Sequence, residues 1–75
     1  MDKELKEFYR RIGLTIAYYR RKAGMTQEAL AQRLGYEINT ISRVENAAQR
    51  VTLDFIYKMS ALLDVSPSQF FSFKD

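Results

Sequence analysis

"MTQEALAQRLGYEINTISRVENA", residues 25–47, holds two short helical patterns separated only by Gly35-Tyr36-Glu37. Thr26 stands at an N-cap position, Ala29-Leu30 and Leu34 face inward, and Gly35 supplies a left-handed stop. The second pattern runs from Ile38 to Asn46 with Ile41 and Val44 inward. Neither stretch is long enough to be a stable helix in isolation. The tight turn at Gly35 therefore predicts two helices fixed against each other at a steep angle on a platform of other helices. A helix-turn-helix uses such a geometry to push its second helix into a DNA major groove, which is about as wide as one helix with its side chains.

The flanks supply the platform. A first helix starts at Asp2, an acceptable N-cap, and runs to Lys22 or Ala23, with Leu5, Phe8, Ile12, Ile16 and Tyr19 recurring at steps of three and four. Gly24 is its left-handed stop, and Arg20, Arg21 and Lys22 sit where the helix dipole favours cations. Thr52 caps a fourth helix carrying Leu53, Ile56, Met59, Ser60 and Leu63, and Asp64 takes its stop position. In "SPSQFF", Ser66 as cap, the only proline at the first helical position, and Gln69 placed to complete a capping box predict a short fifth helix. No segment alternates with period two. The expectation is an all-α fold of five helices, one domain over residues 1–75, with the helix-turn-helix at about 26–46.

At 75 residues the chain is near the lower limit at which an apolar core suffices without metal or disulfide. It contains no Cys and no His, which excludes a disulfide framework and any Cys/His zinc site. No apolar run approaches membrane-spanning length and the charged N-terminus carries no signal-peptide core, so a soluble, cytoplasmic protein is expected. The net charge is +3, but between Phe8 and Thr52 eight Arg and Lys residues stand against three Glu. A basic centre points weakly to a polyanion.

The run "IGLTIAYYRRKAGMTQEALAQRLGYEINTISRVENA" followed by "VTLDFIYKMSALLDVSPSQFF" resembles the Xre/Cro family, the lambda-repressor-like helix-turn-helix DNA-binding domains. The resemblance covers Ile12 to Phe71. It is carried in register by Ile12-Gly13, Ile16, Arg20, Gly24-Met25-Thr26-Gln27-Glu28, Leu30-Ala31, Leu34-Gly35, Thr40-Ile41-Ser42-Arg43, Glu45, and Leu63 with Val65. The spacing "QRVTL" is also similar to the restriction-modification controllers of that family.

The resemblance implies that the third helix reads bases through Glu37, Ile38, Asn39 and Arg43. The fork of Arg43 matches guanine O6 and N7, and Asn39 matches adenine. The alternative is that both are solvent-facing helix residues. Ile38 either touches a thymine methyl or fills a local gap, and Glu37, a poor cap, would accept from cytosine N4 while repelling phosphate. The resemblance further places Thr26, Gln27, Thr40, Ser42 and Arg50 on the DNA backbone, with Gln27 at the N-terminus of helix two. It pairs Arg20 with Glu45 inside the domain.

The chain departs from the family pattern at Ala47, where a Gly is usual, at Val51, where a Pro is usual, and at Leu14, Ala17 and Tyr18, where charges are usual. Asn46 is expected to supply the left-handed residue in place of the missing Gly. Phe55, Leu62, Phe71 and Phe73 form the expected dimer interface, with Leu14 and Tyr18 as the alternative patch and a folded-back Phe71 left open.

The resulting expectation is a sequence-specific DNA-binding transcriptional regulator, a repressor or autoregulator. It binds a pseudo-palindromic operator in double-stranded DNA as a homodimer, with no catalytic residues, cofactor, metal or small-molecule effector. The alternative is a protein-interaction module such as the antitoxin of a toxin–antitoxin pair. Salt separates the two, because DNA affinity falls steeply as salt rises and an apolar interface hardly responds.

Overall fold

The computed structural model describes residues 2–73, in which α1 (Lys3–Lys22), α2 (Gln27–Leu34), α3 (Ile38–Glu45) and α4 (Leu53–Leu63) are followed by a 3₁₀ turn (Pro67–Phe70). Among the described residues there is no strand. Three of the four α-helices begin as their caps dictate. Asp2, Thr26 and Thr52 accept from the amides of Leu5, Ala29 and Phe55 at 2.8, 3.0 and 3.1 Å, each satisfying an amide that the helix itself leaves unbonded. Glu37 makes no side-chain cap bond, so α3 starts without one.

The expected fifth helix is a single 3₁₀ turn. Gln69 does not close a capping box: its side-chain oxygen receives the Tyr19 hydroxyl at 3.4 Å, while the Ser66 hydroxyl bonds that of Ser68 at 3.0 Å. With Ser66 and Gln69 both engaged elsewhere, nothing holds the first turn of an α-helix.

The core is one cluster to which every element contributes: Ile12 and Ile16 from α1, Leu30 and Leu34 from α2, Ile41 and Val44 from α3, Phe55, Ile56 and Met59 from α4, and Phe70 from the 3₁₀ turn. α3 packs against both α1 and α2, while α4 packs on α2 and the terminal turn. α1 and α3 meet at Gly13, where a Cβ would lie 2.5 Å from the carbonyl oxygen of Glu45 and 2.7 Å from that of Val44. Only a glycine permits this approach.

The structure corrects several expectations. Phe55, expected at a dimer interface, is 2% exposed and stacked on Tyr36 at 5.2 Å, because its helical position faces α2. Ala17, at a position where the family usually carries a charge, is buried on the inner side of α1, and within α2 Ala31 is buried while Ala29 is only half-buried. Leu53, expected on the core stripe of α4, is 78% exposed because it heads the helix beyond the edge of the core. The α1 stripe is buried only from Ile12 onward: Leu5 is half-buried, and Phe8 lies outside the core among Tyr9, Phe71 and Phe73. The left-handed residue after α3 is Ala47 itself, with φ 57°, not Asn46. Gly24, Gly35 and Asp64 take the left-handed stops expected of them.

Candidate nucleic-acid interface

Helix α3 is fixed from both ends of its inner face. The turn from α2 closes where the amides of Gly35 and Tyr36 both bond the carbonyl of Ala31 at 2.9 Å, with Gly35 at φ 80°. Ile41 and Val44 anchor the helix in the core. At its C-terminal end Glu45 is held by a buried ion pair, accepting from Arg20 Nε at 2.6 Å and Nη2 at 3.0 Å, while Arg20 Nη1 donates to the carbonyl of Met25 at 2.9 Å. The three bonds tie α1, the loop before α2 and α3 together, and a bidentate guanidinium fixes orientation as well as distance.

With Ile41, Val44 and Glu45 turned inward, the opposite face of α3 carries Asn39, Arg43 and Asn46, with Ser42 at its flank. Asn39, Arg43 and Asn46 are exposed, and Asn46 Nδ2 reaches Ser42 Oγ at 3.5 Å along that face. Ile38 is 46% exposed at the head of the helix, next to the exposed Glu37. The residues that sequence reasoning assigns to base contact therefore lie together on the outward side and first turn of α3. Thr40 and Ser42 are half-buried beside them, and Arg50 is exposed in the loop that follows.

The N-terminus of α2 differs in one respect from expectation. Thr26 is occupied as its cap, and the Gln27 side chain is turned inward, its Nε2 donating to Glu45 Oε1 at 2.9 Å. Gln27 thereby joins the buried Arg20–Glu45 pair, and an anion at this helix end would meet the leading backbone amides of α2.

The expected dimer residues do not form one patch. Phe55 is in the core, Leu62 and Phe73 are half-buried against it, and Phe71 is 40% exposed. The large apolar side chains that α4 does expose are Leu53 and Tyr57, at 78% and 70%. Sequence reasoning missed Tyr57 and placed Leu53 inside. Their spacing of four is a signal for a shared face, but not for which face is inward. Leu14 and Tyr18 are exposed at 54% and 56% on the side of α1 away from the core. No helix among the described residues is long and apolar enough to cross a membrane.

Comparison with known proteins agrees with this geometry. The helix-turn-helix family matches residues 16–70, which takes in the last turns of α1 and everything through the terminal turn. Among solved structures, the restriction-modification controller protein C.AhdI from Aeromonas hydrophila superposes with a TM-score of 0.78 at 28% identity, over 84% of this chain and 96% of that one. A hypothetical transcription factor, NHTF, from Neisseria superposes with a TM-score of 0.80 at 28% identity, over 87% of this chain and 75% of that one. No curated protein matches significantly by sequence. A family match over most of the chain, on a fold that turns α3 outward, makes the conclusion direct: this protein belongs to the Xre-like helix-turn-helix family of DNA-binding transcription regulators.

Proposed function

We propose that the protein is a repressor or autoregulator that reads a pseudo-palindromic operator in double-stranded DNA as a homodimer, residues 1–75 acting as one DNA-binding domain with α3 in the major groove. The observation that carries this reading is the outward placement of Asn39 and Arg43 on a helix whose inner face is locked by Ile41, Val44 and the Glu45 ion pair. A reader must hold its side chains in a fixed register, and this helix has no freedom to roll.

In this reading Arg43 pairs with guanine, Asn39 with adenine, Ile38 meets a thymine methyl and Glu37 accepts from cytosine. Thr40, Ser42 and Arg50 meet the backbone, as does the α2 N-terminus at Thr26 and Gln27 through its leading amides. The similarity to a restriction-modification controller and to a transcription factor favours a regulator, and neither that similarity nor the family match supports the antitoxin alternative. One α3 covers too few base pairs for useful selectivity, so two copies placing their helices about 34 Å apart are required. The surface assigned to that pairing is the exposed face of α4, Leu53 and Tyr57, with Phe71 beside Phe8 at its edge.

Selection of bound duplexes from a random pool by the pure protein, repeated with Arg43→Ala, tests the reader. The variant should lose about 1–3 kcal/mol and its preference at one base pair per half-site. Full retention of sequence preference would remove α3 from the major groove. Sedimentation of Leu53→Glu and Leu14→Glu tests the pairing: a monomer from the first and a dimer from the second supports the α4 face, and the reverse moves the interface to α1.

A further inference from the structure

The basic side of the N-terminal half of α1 lies apart from the surfaces assigned so far, and the family match begins only at residue 16. Lys3, Lys6, Arg10, Gly13, Ala17 and Arg20 follow one another at steps of three and four, so they form a single row along the helix. Gly13, Ala17 and Arg20 in that row are buried, with Gly13 against the last carbonyls of α3 and Arg20 paired with its Glu45. The row is therefore aimed at the C-terminal end of α3. From Lys3 to Arg11 no residue of α1 is fully buried, so the helix runs on past that end for roughly 13 Å at 1.5 Å per residue.

There Lys3, Lys6 and Arg10 line a groove of about 440 Å³ together with Glu7, Asn46 and Ala47. Asn46 shares the outer face of α3 with Asn39 and Arg43, as its approach to Ser42 shows. The groove thus opens at the end of the face that α3 turns outward, and three cations stand over it against one carboxylate.

We propose that Lys3, Lys6 and Arg10 form a second phosphate-binding ridge, which follows a DNA strand past the C-terminal end of α3. The inference rests on the reading of α3 as the helix in the major groove. The chemistry fits a phosphodiester backbone: charges of one sign, spaced one helical turn apart, beside an amide donor at Asn46. Arg10 is at present bonded to Glu7 through Nε at 2.8 Å and Nη2 at 2.7 Å. Both side chains are about half exposed, and such surface pairs are worth little, so Arg10 exchanges Glu7 for a phosphate oxygen at small cost. Glu7 is then the brake on the ridge, a fixed negative charge inside the groove.

The test is the salt dependence of binding to the duplex that the parent protein selects, measured between 50 and 200 mM salt. Each phosphate contact contributes about 0.9 to the slope of log affinity against log salt. The combined Lys3→Gln, Lys6→Gln and Arg10→Gln variant should lose about 1.8 to 2.7 from that slope, the share of two to three contacts. Over this range the parent's affinity should then fall about 10- to 40-fold further than the variant's, with sequence preference and Tm unchanged. Glu7→Gln should bind more tightly than the parent at 50 mM, and its affinity should fall about threefold further over the same range, with preference unchanged. A triple variant with the parent's slope would overturn the ridge and leave these cations to an acidic protein or to solvent. So would a Glu7→Gln protein that bound no more tightly. Failure of the α3 reading shows separately, as an Arg43→Ala protein that keeps its sequence preference.

Discussion

The two halves of α1 hold two Arg–Glu pairs of nearly equal geometry and opposite consequence. Arg20 and Glu45 lie 2.6 Å apart with side chains 9% and 5% exposed, whereas Arg10 and Glu7 lie 2.7 Å apart with side chains 55% and 44% exposed. Distance does not separate them; solvent does. Water screens the outer pair and competes for its hydrogen bonds, while the inner pair is shut off from water and has besides itself only the Gln27 amide and the Met25 carbonyl as partners. The inner pair joins residues 25 apart in sequence and closes the bundle, and the outer joins residues one turn apart and leaves both groups available.

The sharpest way to break this comparison is to remove one partner from the inner pair. Arg20→Met strands Glu45 with only the Gln27 amide, and should cost about 3 kcal/mol, a fall in Tm on the order of 15 °C by calorimetry. Replacing both residues with apolar side chains should recover much of the loss, since no charge is then left buried. A single Arg20→Met variant that melted like the parent would show that the inner pair is no more structural than the outer one.

Gly13→Ala comes next. The added methyl would press on backbone carbonyls at the α1–α3 contact, which cannot rotate away, and α1 must lift off α3. A loss of about 2 kcal/mol in urea unfolding is expected, and the Arg20–Glu45 bonds should weaken with it. A Gly13→Ala protein of parental stability would mean that the buried half of α1 is as loosely seated as its overhang.

Ala47 lies between the two regions, under the α1 overhang yet 6% exposed. Its left-handed backbone costs about 1–2 kcal/mol, which Ala47→Gly would relieve. The same change gives up a buried methyl worth about 0.8 kcal/mol and adds about 0.4–1 kcal/mol of chain entropy on unfolding. These terms nearly cancel, so thermal melts should show a net change below about 1 kcal/mol.

The smallest effect belongs to the outer pair. Hydrogen bonds from Arg10, then Arg11, lower Glu7 from 4.5 to about 2. A carboxylate whose pKa is lower when folded contributes stability that is fully present above its unfolded value near 4.5 and is lost as pH falls through about 2. Because both groups face water, Glu7→Gln should leave Tm at pH 7 unchanged, and the acid-side contribution should vanish in 1 M salt. A Tm loss like that of Arg20→Met would erase the distinction between the pairs.

What sequence alone made legible was local. Asp2, Thr26 and Thr52 were readable as caps because each needs only an oxygen three residues from a free amide, and Gly24, Gly35 and Asp64 because a backbone sign decides them. The outward face of α3 was readable because Ile41 and Val44 fix its phase. The Arg20–Glu45 pair came only from family resemblance, since no spacing rule links residues on different helices. Tertiary placement decided which apolar residues went inside: Phe55 and Phe70 fill the core while Leu53, a neighbour of Phe55 with equal claim by hydrophobicity, is left in solvent. It also decided that Gln27 turns to Glu45, that Ser66 and Gln69 abandon a capping box for other partners, and that Ala47 accepts a left-handed backbone that its own side chain disfavours. Apart from the local Ser66–Ser68 bond, the deciding energy came from a group distant in sequence or from exclusion of water, neither of which a helical period contains.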